Sequence, residues 1–345
     1  MRAAVLAEPG TVEVTERSPP EPAPDEVVVD VGAVGICGSD LHYYEHGRIG
    51  DYVVESPLVL GHESAGVVTA TGSEVTAHSV GDRVALEPGV PCRRCEHCRS
   101  GRYNLCAGVT FMATPPDDGA FVESIAWPAD YAFTLPESVS LTEGALAEPV
   151  SVGVHACRRG DVGGGDDVLV TGAGPIGLLA ADVASALGAG DITISEPVDR
   201  KRSIAEDRGV SRTVDPTAEA VPAAVGGAGD DGPDVAIEAT GDPQALQDCI
   251  DSVRRGGTVV CVGLGAEANL SLDVVDLVDD ELTLAGCFRY ANTYPTALAL
   301  LENGRVNAEE LVDFEAPLTE TGAALERALD PTLVKGMIRI DEAAP

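Results

Sequence analysis

Cys92, Cys95, Cys98 and Cys106 fall in one short run, PCRRCEHCRSGRYNLC, with the spacing C-x2-C-x2-C-x7-C. A thiolate is a soft ligand, and four of them close a tetrahedron around Zn2+ with no position left open. Such a site staples a lobe and does no chemistry. A second set is scattered: Cys37 in GICGSDLHYY, His62 and Glu63 in VLGHESAGVV, and Glu148 in GALAEPVSVG. A catalytic zinc takes few protein ligands and keeps one position open for water or substrate. Cys37 offers a thiolate and His62 an imidazole. Glu63 or Glu148 can add oxygen, directly or through a water.

The third feature is the loop VLVTGAGPIGLL, in which Gly172, Gly174 and Gly177 supply G-x-G-x-x-G. The pattern alone is weak, but here it follows a strand and opens a helix, with Pro175 and Ile176 at the turn. The free N–H groups of that helix start suit a pyrophosphate. The next strand ends at Glu196, about twenty residues on, where an acid binds the adenosine ribose hydroxyls. A carboxylate there repels a 2′-phosphate, which favours NAD over NADP. Arg200, Lys201 and Arg202 lie just beyond and offer a phosphate some compensation. Val262, Gly263 and Leu264 follow a later strand, at the edge where a nicotinamide sits. The three features together describe a zinc-dependent, nicotinamide-linked dehydrogenase.

The elements that must position these residues come in two textures. Residues 1 to about 150 alternate short runs such as VEVTE and EVVVDVGAVG with breakers such as PPEPAPD, as a β-rich lobe does. From about Val152 the chain alternates helices and strands. VSVGVHACRRG reads as a helix, VLV (168–170) as a buried strand, and 175–189 as an amphipathic helix. Strands at 192–196, 234–240 and 258–263 and a helix from Pro243 to Arg254 follow. The fold class is therefore α/β, with a doubly wound parallel sheet in the second part. The last stretch is mixed, with a helix over 296–306 and a strand over 335–340. AVGGAGDDGPD (224–234) reads as an exposed loop.

The chain has 345 residues and a formal net charge of −35. That charge excludes nucleic acid and anionic membrane surfaces as partners, and with them a zinc-ribbon nucleic-acid binder. No apolar run approaches a membrane span. Lys201 and Lys335 are the only lysines, and the acidic residues are spread along the whole length. This pattern fits a protein kept soluble in very high salt, where screening removes self-repulsion. Nine cysteines and no secretory leader fit a reducing cytoplasm with metal-bound thiolates. Cys157, Cys249, Cys261 and Cys287 fall in helices or strands and read as small hydrophobes.

The chain resembles the zinc-containing medium-chain dehydrogenases, and within them the polyol branch of sorbitol and xylitol dehydrogenases. The resemblance covers nearly the whole chain. GHE and GxGxxG carry the superfamily, while HYYEHGRIGDYVV, ATPPDDG and FRYANTYP are specific to the polyol branch. It implies a GroES-like catalytic domain over 1–151 and 292–345, with a zinc lobe at about 88–110, and a Rossmann domain over 152–291. It makes Cys37, His62 and Glu63 catalytic zinc ligands. Glu148 becomes the carboxylate that holds the zinc water or swings onto the metal, and the four clustered cysteines become a structural zinc site. Ser39, His42 and Tyr43 match residues lining the substrate and proton path. Arg289 and Tyr290 match residues near the polyol hydroxyls, with Phe288 and Arg289 beside the cofactor. The implied reaction is reversible hydride transfer from a polyol to NAD, in a homotetramer or dimer. Threonine, butanediol and aldose dehydrogenases share the scaffold and are the runners-up. A non-catalytic zinc-binding regulatory protein is the remote alternative, against which the intact Cys37, His62 and Glu63 speak. The departures from the family pattern are the surface charge and Glu, instead of the commoner Asp, at position 196.

Overall fold

The computed structural model describes residues 1–227, 231–265 and 271–340. The chain divides into two compact units: Met1–Glu148 with Ala297–Glu302 and Asn307–Pro345, and Pro149–Thr296 with Asn303–Val306.

The first unit is built on a sheet whose strands run in the order Ala132–Thr134, Arg83–Leu86, Glu63–Thr71, Glu26–Gly35, Lys335–Arg339 and Val312–Pro317. Ser124–Pro128 also pairs with Glu26–Gly35. A smaller sheet joins Thr11–Glu16, Arg2–Glu8 and Leu58–Val59. The inward faces supply Val27, Val29, Leu60, Leu86, Phe121 and Ile338 to one core. With few aromatics in the sequence, branched aliphatics fill most of it. The central pairing matters for function. Glu63 opposes Gly35, and Ser64 opposes Leu86, so three strands bring their ends to one place. Lys335–Arg339 adds a fourth, pairing antiparallel with Glu26–Gly35.

The second unit is a six-stranded parallel sheet in the order Arg212–Val214, Ile192–Ser195, Val168–Thr171, Val235–Glu238, Thr258–Cys261 and Thr283–Gly286. In chain order that is 3-2-1-4-5-6, the dinucleotide-binding arrangement with its switch point beside the first strand. Leu169, Ala236, Val259, Cys249 and Ile250 are buried together on one of its faces.

One helix departs from the expected boundary. It spans Leu141–Gly160, with Pro149 inside it. A proline in a helix interior forfeits a hydrogen bond and costs about 3 kcal/mol, which is why the sequence reads as a helix only after it. Here Ala145, Leu146, Ala147, Val150 and Val154 are all buried, and that packing outweighs the cost. The true start carries a capping box that the sequence also displays: the Ser140 backbone N–H donates to the Glu143 carboxylate (2.8 Å), and the Glu143 N–H donates to Ser140 Oγ (3.0 Å). The expected helix at 296–306 runs instead from Tyr294 to Glu302 and gives way to the Asn303-Gly304 turn. Of the loop expected over 224–234, residues 228–230 lie outside the described residues.

His155, in the long helix, is held down to about 4, by burial first and then by the charges of Arg159 and Arg158. Above about pH 6.5 it is neutral both folded and unfolded. Between about 6.5 and 4 only the unfolded chain takes up the proton, so stability falls as pH drops through that window. Replacing His155 by Gln should flatten this part of the stability–pH profile relative to the parent, as read by denaturant unfolding at a series of pH values.

Candidate active site and metal centres

The helix Gly38–His46 begins at Cys37, which occupies its N-cap. Asp40, one turn in, is fully buried. Its Oδ2 accepts from the Cys37 backbone N–H at 2.9 Å, and its Oδ1 accepts from Gly61 N–H at 2.9 Å. One carboxylate therefore clamps the loop bearing the thiol to the loop bearing the imidazole. Oδ1 also lies 3.8 Å from His62 Nδ1, close enough for its charge to act on the ring. Nothing in the spacing of the sequence singled out Asp40. The capping-box position three residues past Cys37 was the available signal.

Glu63 starts its strand opposite Gly35. A Cβ on Gly35 would meet Glu63 Oε2 at 1.9 Å, so glycine there makes room for the carboxylate. Lys335, 272 residues away in sequence, donates to Glu63 Oε1 at 2.6 Å and to the Ile36 carbonyl at 2.9 Å. Its ammonium lies 2.5 Å from Oε2 as well, yet Oε2 accepts no hydrogen bond. Lys335 is buried. Burial works against its charge, but Glu63, Cys37 and Glu148 hold its pKa above the usual lysine value. Sequence reading passed over Lys335 as one of two lysines, and no local signal marks it.

The thiol of Cys37, a ring nitrogen of His62 and a carboxylate oxygen of Glu63 lie within 4.8 Å of one another. Glu148 is buried beside this triangle without being part of it. Burial alone would depress His62, but Cys37, Asp40 and Glu148 raise it to about 10. Burial raises Asp40, partly offset by His62 and the two backbone donors. A pocket that forces a proton onto a buried imidazole is one that seeks a cation. Sulfur, nitrogen and oxygen donors in one triangle, with a buried oxygen lone pair unspent, fit a divalent zinc ion.

The four clustered sulfurs also lie within 4.8 Å of one another. Cys92 and Cys98 are 3.9 Å apart, and Cys95 and Cys98 3.3 Å, against about 3.8 Å for a tetrahedron of Zn–S bonds. The backbone N–H groups of Arg94 and Cys95 lower the Cys92 thiol to about 6, while burial and the neighbouring sulfurs push Cys98 up to about 12, so the four share charge as a cluster. A further acid sits between the two centres. Glu87 is buried, its pKa pushed up to about 7 by burial in the first place, against a hydrogen bond from the Tyr103 hydroxyl. Sequence reading missed it too.

Other candidates occupy varied settings. Ser39 is half-buried, and His42 is exposed on the first helix, its ring 6.1 Å from that of His46. Tyr43 is packed into the core of the first unit. In the second unit, Arg289 lies 4.8 Å over the Phe288 ring with a left-handed backbone (φ 50°). Tyr290 is buried against Tyr294, ring centroids 5.8 Å apart.

The glycine-rich loop has its expected form. Gly172 has φ 93°, and a Cβ on Gly177 would meet the Gly172 carbonyl oxygen at 1.9 Å. The helix Pro175–Leu187 starts at once, with Gly174 as N-cap and Ile176 half-buried in its first turn. Glu196 is buried and fastened back onto this loop. It accepts from Ala173 N–H at 2.8 Å and from Val198 N–H at 2.9 Å. Each oxygen keeps a lone pair for a ribose hydroxyl. Arg202 is spent on the carbonyls of Glu196 and Pro197 and on Asp199 and Asp215. Lys201 is half-buried on the same helix, Asp199–Asp207. Val262 and Gly263 donate to the Glu238 carbonyl, while Leu264 is exposed.

Sequence models of known families match this arrangement. Residues 23–137 match the alcohol dehydrogenase GroES-like domain, and residues 175–303 match zinc-binding dehydrogenase. The chain belongs to the zinc-binding dehydrogenase family. It is an oxidoreductase acting on alcohols, with zinc and a nicotinamide dinucleotide as cofactors. It is 46% identical over 330 residues to a sorbitol dehydrogenase of Bacillus subtilis (strain 168), covering 95% of this chain and 94% of the relative. Among solved structures it is similar to an Escherichia coli oxidoreductase/dehydrogenase of unknown specificity (TM-score 0.94, 33% identity, 99% of each chain). It is also similar to L-idonate 5-dehydrogenase of Escherichia coli (TM-score 0.91, 30% identity, 98% of each chain). Among the described residues no helix is long and apolar enough to cross a membrane.

Removing Lys335 should expose how the site is balanced. In metal-stripped protein, Lys335→Met leaves the buried Glu63 carboxylate without its cation and should cost roughly 3–5 kcal/mol. Lys335→Met with Glu63→Gln should recover most of that loss in the same denaturant titration. A double variant as unstable as the single one would remove the pair from its assigned place.

Proposed function

We propose that the chain oxidises a secondary hydroxyl of a polyol such as sorbitol or xylitol to the ketose, reversibly, with NAD as hydride acceptor. The observation that carries this reading is the Cys37–His62–Glu63 triangle with Glu148 beside it, in a chain 46% identical to a sorbitol dehydrogenase. Cys37, His62 and Glu63 would hold the metal. When bound, zinc supplies a Lewis acid that lowers the pKa of an alcohol, and the dinucleotide accepts the hydride. The residues do the rest. Asp40 holds the Cys37 and Gly61 loops together beside His62, and Lys335 fixes Glu63. Glu148 stands ready to take the alcohol proton, with Ser39 and His42 as a second route. Tyr43, Arg289 and Tyr290 are assigned to the substrate, Tyr43 from the first helix, where its ring packs into the core of the first unit.

NAD is favoured over NADP because Glu196 is a buried carboxylate at the end of the second strand, and a 2′-phosphate beside it would meet like charge at low dielectric. Of the basic residues just beyond, Arg202 is committed to its own turn. Ser39 and His42 are polar groups suited to a small hydroxylated substrate. We assign the chain to the reducing cytoplasm on the strength of its unpaired cysteines, and to a homo-oligomer as the family resemblance implies.

Initial rates in multimolar KCl on sorbitol, xylitol, ribitol, threonine, 2,3-butanediol and glucose test the substrate. Fast NADH formation on sorbitol or xylitol is expected, and a preference for threonine, butanediol or glucose would move the chain to another branch. Glu196→Ala should shift the ratio of kcat/KM for NADP over NAD upward by about tenfold or more. An unchanged ratio would show that Glu196 serves only to hold the glycine loop.

A further inference from the structure

Glu87 is a buried carboxylate that the chemistry above does not use. It follows the strand Arg83–Leu86, in which Leu86 opposes Ser64. Ser64 is the next residue after Glu63, and Glu87 is the next after Leu86. Its backbone is held on both sides: its N–H donates to the Tyr131 carbonyl at 2.8 Å, and its carbonyl accepts from Trp127 Nε1 at 2.9 Å. Its side-chain Oε1 accepts from the Tyr103 hydroxyl, in the four-cysteine lobe, at 2.7 Å. Tyr103 opens the short turn Tyr103–Leu105 that leads directly into Cys106. Glu148 is near enough for its charge to act on Glu87.

The base of the lobe has a second tie. The lobe leaves the body of the unit through Gly89–Val90 and returns through Thr110–Phe111, and these two short strands pair with each other. The Phe111 ring lies 5.7 Å from the His62 ring. The returning end of the cysteine loop is therefore anchored on a residue that touches His62, and the outgoing end is paired with it.

We propose that Glu87 is a positioning residue that couples the four-cysteine lobe to the catalytic metal site, through the Tyr103 hydroxyl on one side and the strand end of Glu63 on the other. When the lobe is metal-bound, Cys106 fixes Tyr103 and Tyr103 fixes Glu87. If the lobe loosens, Glu87 becomes a buried carboxylate without its donor, with the charge of Glu148 acting on it. Burying an unpaired carboxylate is costly. Glu87 is then free to shift, and with it the strand end at which Leu86 opposes Ser64, the residue after Glu63. The lobe is thus a brace for the catalytic site as well as a staple for its own loop. The inference rests on reading Cys37, His62 and Glu63 as the catalytic metal site.

The test uses the full-length two-metal protein in multimolar KCl and follows metal release to the chromophoric chelator 4-(2-pyridylazo)resorcinol. The catalytic phase is identified by its absence in Cys37→Ser. Tyr103→Phe should still carry two metals but release the catalytic one about tenfold faster, the usual scale for a group supporting a metal ligand. Its kcat should fall by a similar factor, with the KM for the dinucleotide unchanged. Glu87→Gln should stay within about twofold of the parent, because the amide oxygen still accepts the Tyr103 hydroxyl. Glu87→Leu breaks the tie without stranding a charge and should also accelerate release, which keeps the test open if Tyr103→Phe does not fold. Parent-like release in Tyr103→Phe or Glu87→Leu overturns the inference, as does a Glu87→Gln protein as impaired as either. A parent that holds both metals yet oxidises no alcohol would sink the proposed function and leave this release test standing.

Discussion

The site depends on the cost of burying charge. Asp40, Glu63, Glu148 and Lys335 are all withdrawn from water around His62. Isolated buried ions are costly, and each must find compensation in a partner, a hydrogen bond or a metal. Lys335 answers Glu63, two backbone N–H groups answer Asp40, and the remaining negative potential falls on His62. That potential makes the pocket a place for a divalent cation. The same bookkeeping explains why so many elements meet here: two strands deliver Glu63 and Lys335, and two helices deliver Asp40 and Glu148.

The long helix Leu141–Gly160 shows how packing overrides local preference in the service of a site. Pro149 sits in its interior directly after Glu148. A helix starting after the proline, as the sequence suggests, would leave Glu148 on a loop. The observed helix begins at the Ser140–Glu143 capping box and carries Glu148 inward on a rigid element. Loop-borne acids wander, whereas helix-borne ones are held to their rotamers by neighbours. In the second unit the glycine loop is held from behind: the Glu196 carboxylate reaches back to Ala173 N–H, a grip that the extra methylene of Glu over Asp makes available.

Much of this was legible in the sequence, because the signals are local. Close cysteine spacing, a glycine loop between a strand and a helix, and alternating element textures are all patterns within a few residues of one another. The strands of the parallel sheet were readable as apolar runs, and their order follows from the way such units wind. Asp40, Glu87 and Lys335 were not legible. An acid three residues after a cysteine, an acid at a strand end and a lone lysine near the chain's end look alike in composition and differ only in what surrounds them. Tyr43 was readable as an aromatic near the metal motif, but its place in the core is set by the sheet behind it.

The sequence by itself determined which donors are available, which of them are close along the chain, and that a dinucleotide loop accompanies them. It thereby determined the class of chemistry. Only the tertiary structure decided which charges share a pocket. The Glu63–Lys335 pair spans 272 residues, and it forms because strand register, with Gly35 left bare, aligns the two side chains. Register is a property of the whole sheet, set by the burial of one face across several strands. No window of sequence contains it.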